Sequence, residues 1–126
     1  MDTRLSLLLV DDEESILFAL RDFFERTFDV TCLSSLDEVS SALAEGARWD
    51  VVITDLSFES SGTEGLDIIE RVHRSSPASH IVLLTAYENP QTHSEALRRG
   101  AKMVLGKPYP LPDLARMIVL LTEVPS

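Results

Sequence analysis

Cysteine occurs once in the chain, at position 32, which excludes an internal disulfide framework and a cysteine-built metal centre. A reducing, cytoplasmic setting is the expectation that follows. Long apolar runs are missing as well. The longest, Ile16–Leu20 and Met117–Leu121, hold five residues each, against the roughly 20 that a membrane-spanning helix needs. No secretory segment is expected at the start, because Leu7–Val10 runs straight into Asp11, Asp12, Glu13 and Glu14. Basic residues are few, 11 against 21 acidic ones for a net charge of −10. That balance argues against direct nucleic-acid binding by this domain. No glycine-rich phosphate loop follows the first apolar run, so nucleotide binding ranks low.

What is present is ordinary for a globular chain: 44% apolar and 25% charged residues over 126 positions. A chain of that size buries roughly two-thirds of its unfolded surface, enough for one domain spanning residues 1–126. The acidic excess is uneven. Residues 1–63 carry 14 acids and 4 bases, whereas residues 64–126 carry 7 of each. The first half is therefore either a solvated acidic surface or partly converges on a cation site.

Apolar runs alternate with segments of helical period. Strands are expected at Leu5–Val10, Val30–Leu33, Val51–Asp55, Ile81–Thr85 and Ala101–Leu105. Helices are expected at Glu14–Phe28, Leu36–Glu45, Leu66–Arg74, Gln91–Arg99 and Leu111–Thr122, with Gly46 as a stop signal and Pro90 and Gly100 as brackets. The first, third and fourth strands are continuously apolar, as in a sheet covered by helices on both faces. Five β-α units with right-handed crossovers give an α/β, flavodoxin-like, doubly wound parallel sheet of order 2-1-3-4-5. Such sheets bind ligands beyond the carboxyl ends of their strands.

That edge collects chemistry. The first strand ends in Asp11 and Asp12, the third in Asp55 and the fourth in Thr85, and the fifth leads to Gly106-Lys107-Pro108. Each has a plain alternative: a helix cap, a turn initiator, a β-branched strand residue, a solvated loop charge. Their shared position at one rim favours a site. Two carboxylates about 4 Å apart repel by about 4 kcal/mol at an effective dielectric near 20. Converging carboxylates therefore ask for a cation, either Lys107 or a metal ion. Oxygen ligands with open positions suit Mg²⁺.

The segments LLLVDDEESI, VVITDLS, IVLLTAY and GAKMVLGKPY, at this spacing, resemble the receiver domain of two-component response regulators over essentially the whole chain. The resemblance implies that Asp55 is the phosphoacceptor, with Lys107 and Thr85 as its catalytic partners. It implies Mg²⁺ held by Asp12, Asp55 and the backbone carbonyl of Ser57, with Asp11 acting through water. The Ala86 N–H joins Thr85 in binding the attached phosphoryl group, and Lys107-Pro108 is a cis peptide. As partners it implies a sensor histidine kinase or phosphotransfer protein. An output domain or partner protein is expected on the face of the fourth helix, fifth strand and fifth helix, and that face could also form a homodimer. Catalysis is then confined to the domain's own phosphorylation and dephosphorylation, so the chain is no enzyme toward other substrates.

Departures from the family pattern are visible. Glu59 and Thr63 stand where the family has proline and glycine, so the loop Ser57–Glu64 is about two residues longer. Val104 replaces the usual aromatic switch residue, and Tyr87 occupies the position that tunes water access. These departures keep open a degenerate receiver that binds partners without phosphorylation. A phosphatase of the haloacid dehalogenase type fits poorly, because its acid/base aspartate would fall at Ser57. His73, His80 and His93 lie on separate elements. Arg98, Arg99, Lys102 and His93 read as a mild basic patch, Cys32 as a buried thiol, and Trp49 and Tyr109 as packing residues.

Overall fold

A computed structural model describes residues 4–55, 64–86 and 90–123. Five strands and five helices alternate: β1 Ser6–Val10, α1 Glu14–Phe24, β2 Asp29–Leu33, α2 Leu36–Ala44, β3 Val51–Asp55, α3 Glu64–Ser75, β4 His80–Thr85, α4 Pro90–Arg99, β5 Met103–Gly106 and α5 Leu111–Glu123. The strands form one sheet in the order β2-β1-β3-β4-β5, all neighbours parallel. The expected fold class holds.

Alternation of side chains along the central strands divides the core in two. Leu8, Val10, Val52, Ile81 and Leu83 face α2, α3 and α4, meeting Val39, Leu43, Ile68, Ile69, Val72 and Ala96. Leu7, Leu9, Val51, Ile53 and Val82 face the other way, meeting Leu17 and Phe24 of α1 and Leu114 and Ile118 of α5. β1, β3 and β4 are buried on both faces, which is why they read as continuous apolar runs.

Local chemistry sets the boundaries. The N-terminus of α2 is capped by Ser35, whose Oγ accepts the Glu38 N–H at 3.1 Å, while the Glu38 carboxylate accepts the Ser34 N–H at 2.6 Å. Gly46 follows α2 at φ 97°, the left-handed turn expected of a stop. α1 ends at Phe24, four residues before the periodicity suggested. A tight turn, with Thr27 N–H and Phe28 N–H both reaching Phe24 C=O, keeps Phe28 buried without prolonging the helix. Arg4 braces that turn by donating to the carbonyls of Thr27 and Glu25. Cys32 lies on the edge strand β2 and is only half-buried, because no further strand covers it. Burial is still enough to push its thiol pKa up. Trp49 is buried at the entry to β3.

Candidate functional site

The register brings four strand ends to one rim. Val10 pairs with Thr54, Asp55 with Leu84, and Thr85 with Gly106. Asp11, Asp55, Thr85 and Lys107 therefore arrive at one rim, within two residues of a common level, from segments far apart in sequence. The Lys107 N–H donates to Thr85 C=O at 2.8 Å, tying the loop after β5 to the end of β4, and the Lys107-Pro108 peptide is cis as the resemblance implied.

Asp55 is 5% exposed, and one of its carboxylate oxygens, Oδ2, forms an ion pair with Lys107 Nζ. Asp11 is equally buried and its side chain hydrogen-bonds Asp55. Its other fixed contact is local: Oδ1 accepts the Glu13 N–H at 3.0 Å, bracing the start of α1. Burial, reinforced by the neighbouring carboxylate, raises the Asp11 pKa from 3.8 to about 7. The two buried carboxylates thus differ in setting: Asp55 is paired with Lys107, whereas Asp11 is held by burial and its carboxylate neighbour toward the neutral form.

The remaining expected residues divide. Asp12 is exposed at the end of β1, beside the buried Asp11. Thr85 is fully buried, and Ala86 is exposed. Ser57, Glu59, Thr63 and Tyr87 lie outside the described residues, so most of the long Ser57–Glu64 loop does as well. Among the described residues no three His, Cys, Asp or Glu side chains stand together as a metal-binding group. The donor chemistry nevertheless fits a hard divalent cation, since Asp11 and Asp55 bring two carboxyl groups together and offer only oxygen. His73, His80 and His93 are spread over α3, β4 and α4, as anticipated.

Two features were not legible. A cavity of about 460 Å³ opens beside Asp55 and Lys107, walled by Ile16, Leu20, Ile53, Tyr109 and Leu111. Its walls come from β1, α1, β3, β4, α5 and the turn before α5, so no window of sequence displays it. Thr54 also borders it, and its fully buried hydroxyl has no partner among the described residues. The polar residue inside the run VVITD was the available signal, but Thr is also a common strand former. Two members of the expected basic patch are paired within the fold. Arg98 and Arg99 both pair with Glu95, and Arg99 reaches Asp67 and Glu70 as well, so the guanidinium charges are answered within the fold.

The carboxyl edge of this doubly wound parallel sheet thus carries a buried aspartate paired with a half-buried lysine. The chain matches the response regulator receiver domain family over residues 7–119 and belongs to it; it is the receiver domain of a two-component response regulator. It is 36% identical over 104 residues to the photosynthetic apparatus regulatory protein RegA of Cereibacter sphaeroides, covering 82% of this chain and 55% of that protein. The chain spans 61% of the length of the RegA of Rhodobacter capsulatus. Among solved structures, a CheY-like receiver domain from Methanospirillum hungatei superposes with a TM-score of 0.87 at 21% identity, covering 96% and 95% of the two chains. A Burkholderia pseudomallei response regulator, solved with a phosphorylated aspartic acid, calcium ion and citrate, gives 0.80 at 24% identity, covering 95% of this chain and 73% of that one. At those identities the likeness is one of fold.

Proposed function

We propose that Asp55 accepts a phosphoryl group from the phosphohistidine of a sensor kinase or phosphotransfer protein. The observation that carries this reading is the buried Asp55 carboxylate held against Lys107 at the carboxyl edge of the sheet. An Asp55 oxygen forms the new O–P bond as the imidazole N–P bond breaks, and the histidine leaves with the bonding pair. Such a transition state spreads negative charge over the equatorial oxygens, so the domain contributes positioning and positive charge rather than proton transfer. Lys107 supplies one such charge from a backbone fixed to Thr85. The Thr85 hydroxyl and Ala86 N–H then hold the attached group. Asp12, Asp55 and the Ser57 carbonyl, with Asp11 through water, would hold Mg²⁺, which supplies further positive charge to the phosphoryl oxygens.

The domain acts on itself alone and is no enzyme toward other substrates. Its setting is the cytoplasm, in keeping with one cysteine and with no described helix long and apolar enough to cross a membrane. The face of α4, β5 and α5 is where an output domain, a partner protein or a second copy engages. Leu97 on α4 is exposed there, which supports that assignment.

Acetyl phosphate or beryllofluoride with Mg²⁺ is expected to modify the wild-type chain, seen by intact mass or by shifts in the amide spectrum. Asp55→Asn is expected not to respond; equal modification of both removes Asp55 from the role. A phosphorylation-independent interaction module is the second reading, favoured by Val104 at the position of the usual aromatic switch. Absence of both Mg²⁺ binding and phosphate uptake in the wild type would select it.

A further inference from the structure

α4 is attached to the fold in an unusual way. Its single fully buried side chain is an alanine, Ala96. Its half-buried positions are Thr92, Glu95 and Arg99, all polar, while its one large apolar residue, Leu97, points outward at 42% exposure. Apolar burial therefore contributes little to holding this helix, whereas α3 beside it buries five residues. What faces α3 is Arg99. Its side chain is 21% exposed and makes three ion contacts: Asp67 at 2.9 Å and Glu70 at 3.7 Å on α3, and Glu95 at 2.7 Å one turn back on α4. The planar fork of arginine suits this task, because it meets two carboxylates at once from fixed directions. Arg98 and Arg99 also hold the Glu95 carboxyl down to about 2, so that partner keeps its charge at any ordinary pH.

The junction below Arg99 is equally tight. Gly100 has φ 127°, and its Cα approaches His73 so closely that an added Cβ would lie 2.5 Å from His73 Cγ. α4 is also the next element after the site in the chain, since Thr85 ends β4, Ala86 follows it and Pro90 opens α4. An element with few buried apolar contacts is the first to move when its anchorage changes.

We propose that Arg99 is a positioning residue, an ionic clamp to Asp67 and Glu70 that holds α4 in its resting place and so sets how readily modification of Asp55 displaces that helix. The regulatory half rests on the reading of Asp55 as phosphoacceptor; the clamp itself does not. A partly exposed network of this kind biases an equilibrium rather than locking it, which is what a switch requires.

The test compares wild type with Arg99→Gln and, as a milder variant on the opposite helix, Asp67→Asn. Amide hydrogen exchange on the unmodified proteins should be faster across Pro90–Arg99 in both variants and unchanged in β1 and β3. Titration with beryllofluoride in Mg²⁺, followed by amide NMR, should reach half-saturation at a concentration about fivefold or more below that of wild type. Arg99→Lys, which keeps the charge but lacks the fork, should fall between. Unchanged exchange in α4 overturns the clamp. Faster exchange with an unmoved beryllofluoride midpoint overturns the coupling and leaves Arg99 a merely structural contact. A wild type that ignores beryllofluoride removes the phosphoacceptor reading and the regulatory half with it, while the exchange comparison still decides the clamp.

Discussion

At Asp11, burial and a neighbouring carboxylate act in the same direction. The folded pKa of about 7 lies well above the ordinary 3.8. The native state therefore keeps a proton that the unfolded chain has already lost, and native stability falls as pH rises through the window from about 4 to about 7. Below that window both states are protonated, and above it both are ionised, so the slope vanishes at either end. Thermal melts in chelator should show this decline for wild type, and Asp11→Asn should flatten it. If Mg²⁺ binds the rim, adding it at pH 7.5 should raise the wild-type melting temperature, since a cation then takes the place of the proton. Thr54 gives a second prediction at this scale. A buried hydroxyl without a partner costs stability relative to a methyl of the same shape. Thr54→Val is therefore expected to stabilise by about 1 kcal/mol, a few degrees in melting temperature, with phosphate uptake at Asp55 retained.

Elements reveal a different kind of constraint, set where one meets the next. Gly100 ends α4 with φ 127° and packs against His73 of α3. Gly100→Ala meets both a disfavoured backbone conformation and a clash with the first atoms of a side chain whose backbone is fixed in a helix. A loss of about 2–3 kcal/mol is expected by denaturant melts, with faster exchange in α4. The sequence displayed Gly100 as a helix stop, which it is, but the contact with His73 lies 27 positions away and follows only from the packing of α3 against α4. Boundaries show the same division. Gly46 and the Ser35 cap act through neighbouring backbone and were readable. The end of α1 was not, because Phe28 keeps helical spacing while a turn braced by Arg4 carries it inward. Arg98 and Arg99 read as part of a basic patch for a related reason: Asp67 and Glu70, which answer Arg99, belong to another helix.

For the whole molecule, charge and topology lead in separate directions. The net charge of −10 repels a polyanion, and the arginines of α4 are engaged by carboxylates. Gel-shift measurement with duplex DNA at about 0.15 M salt should show no retardation up to ~100 μM chain, the weak end of ordinary non-specific affinity. Alternating strand and helix patterns, and the continuously apolar β1, β3 and β4, determined the layered parallel sheet from sequence alone, because burial on two faces leaves a one-dimensional signature. The same patterns placed Asp11, Asp55, Thr85 and Lys107 at strand ends, since register in a parallel sheet aligns those ends. Only the tertiary structure decided which of them touch. The raised pKa of Asp11, the Asp55–Lys107 pair, the Thr54 hydroxyl left without a partner among the described residues and the ionic attachment of α4 all depend on distances between segments that the chain brings together by folding, and on the low dielectric that burial creates around them.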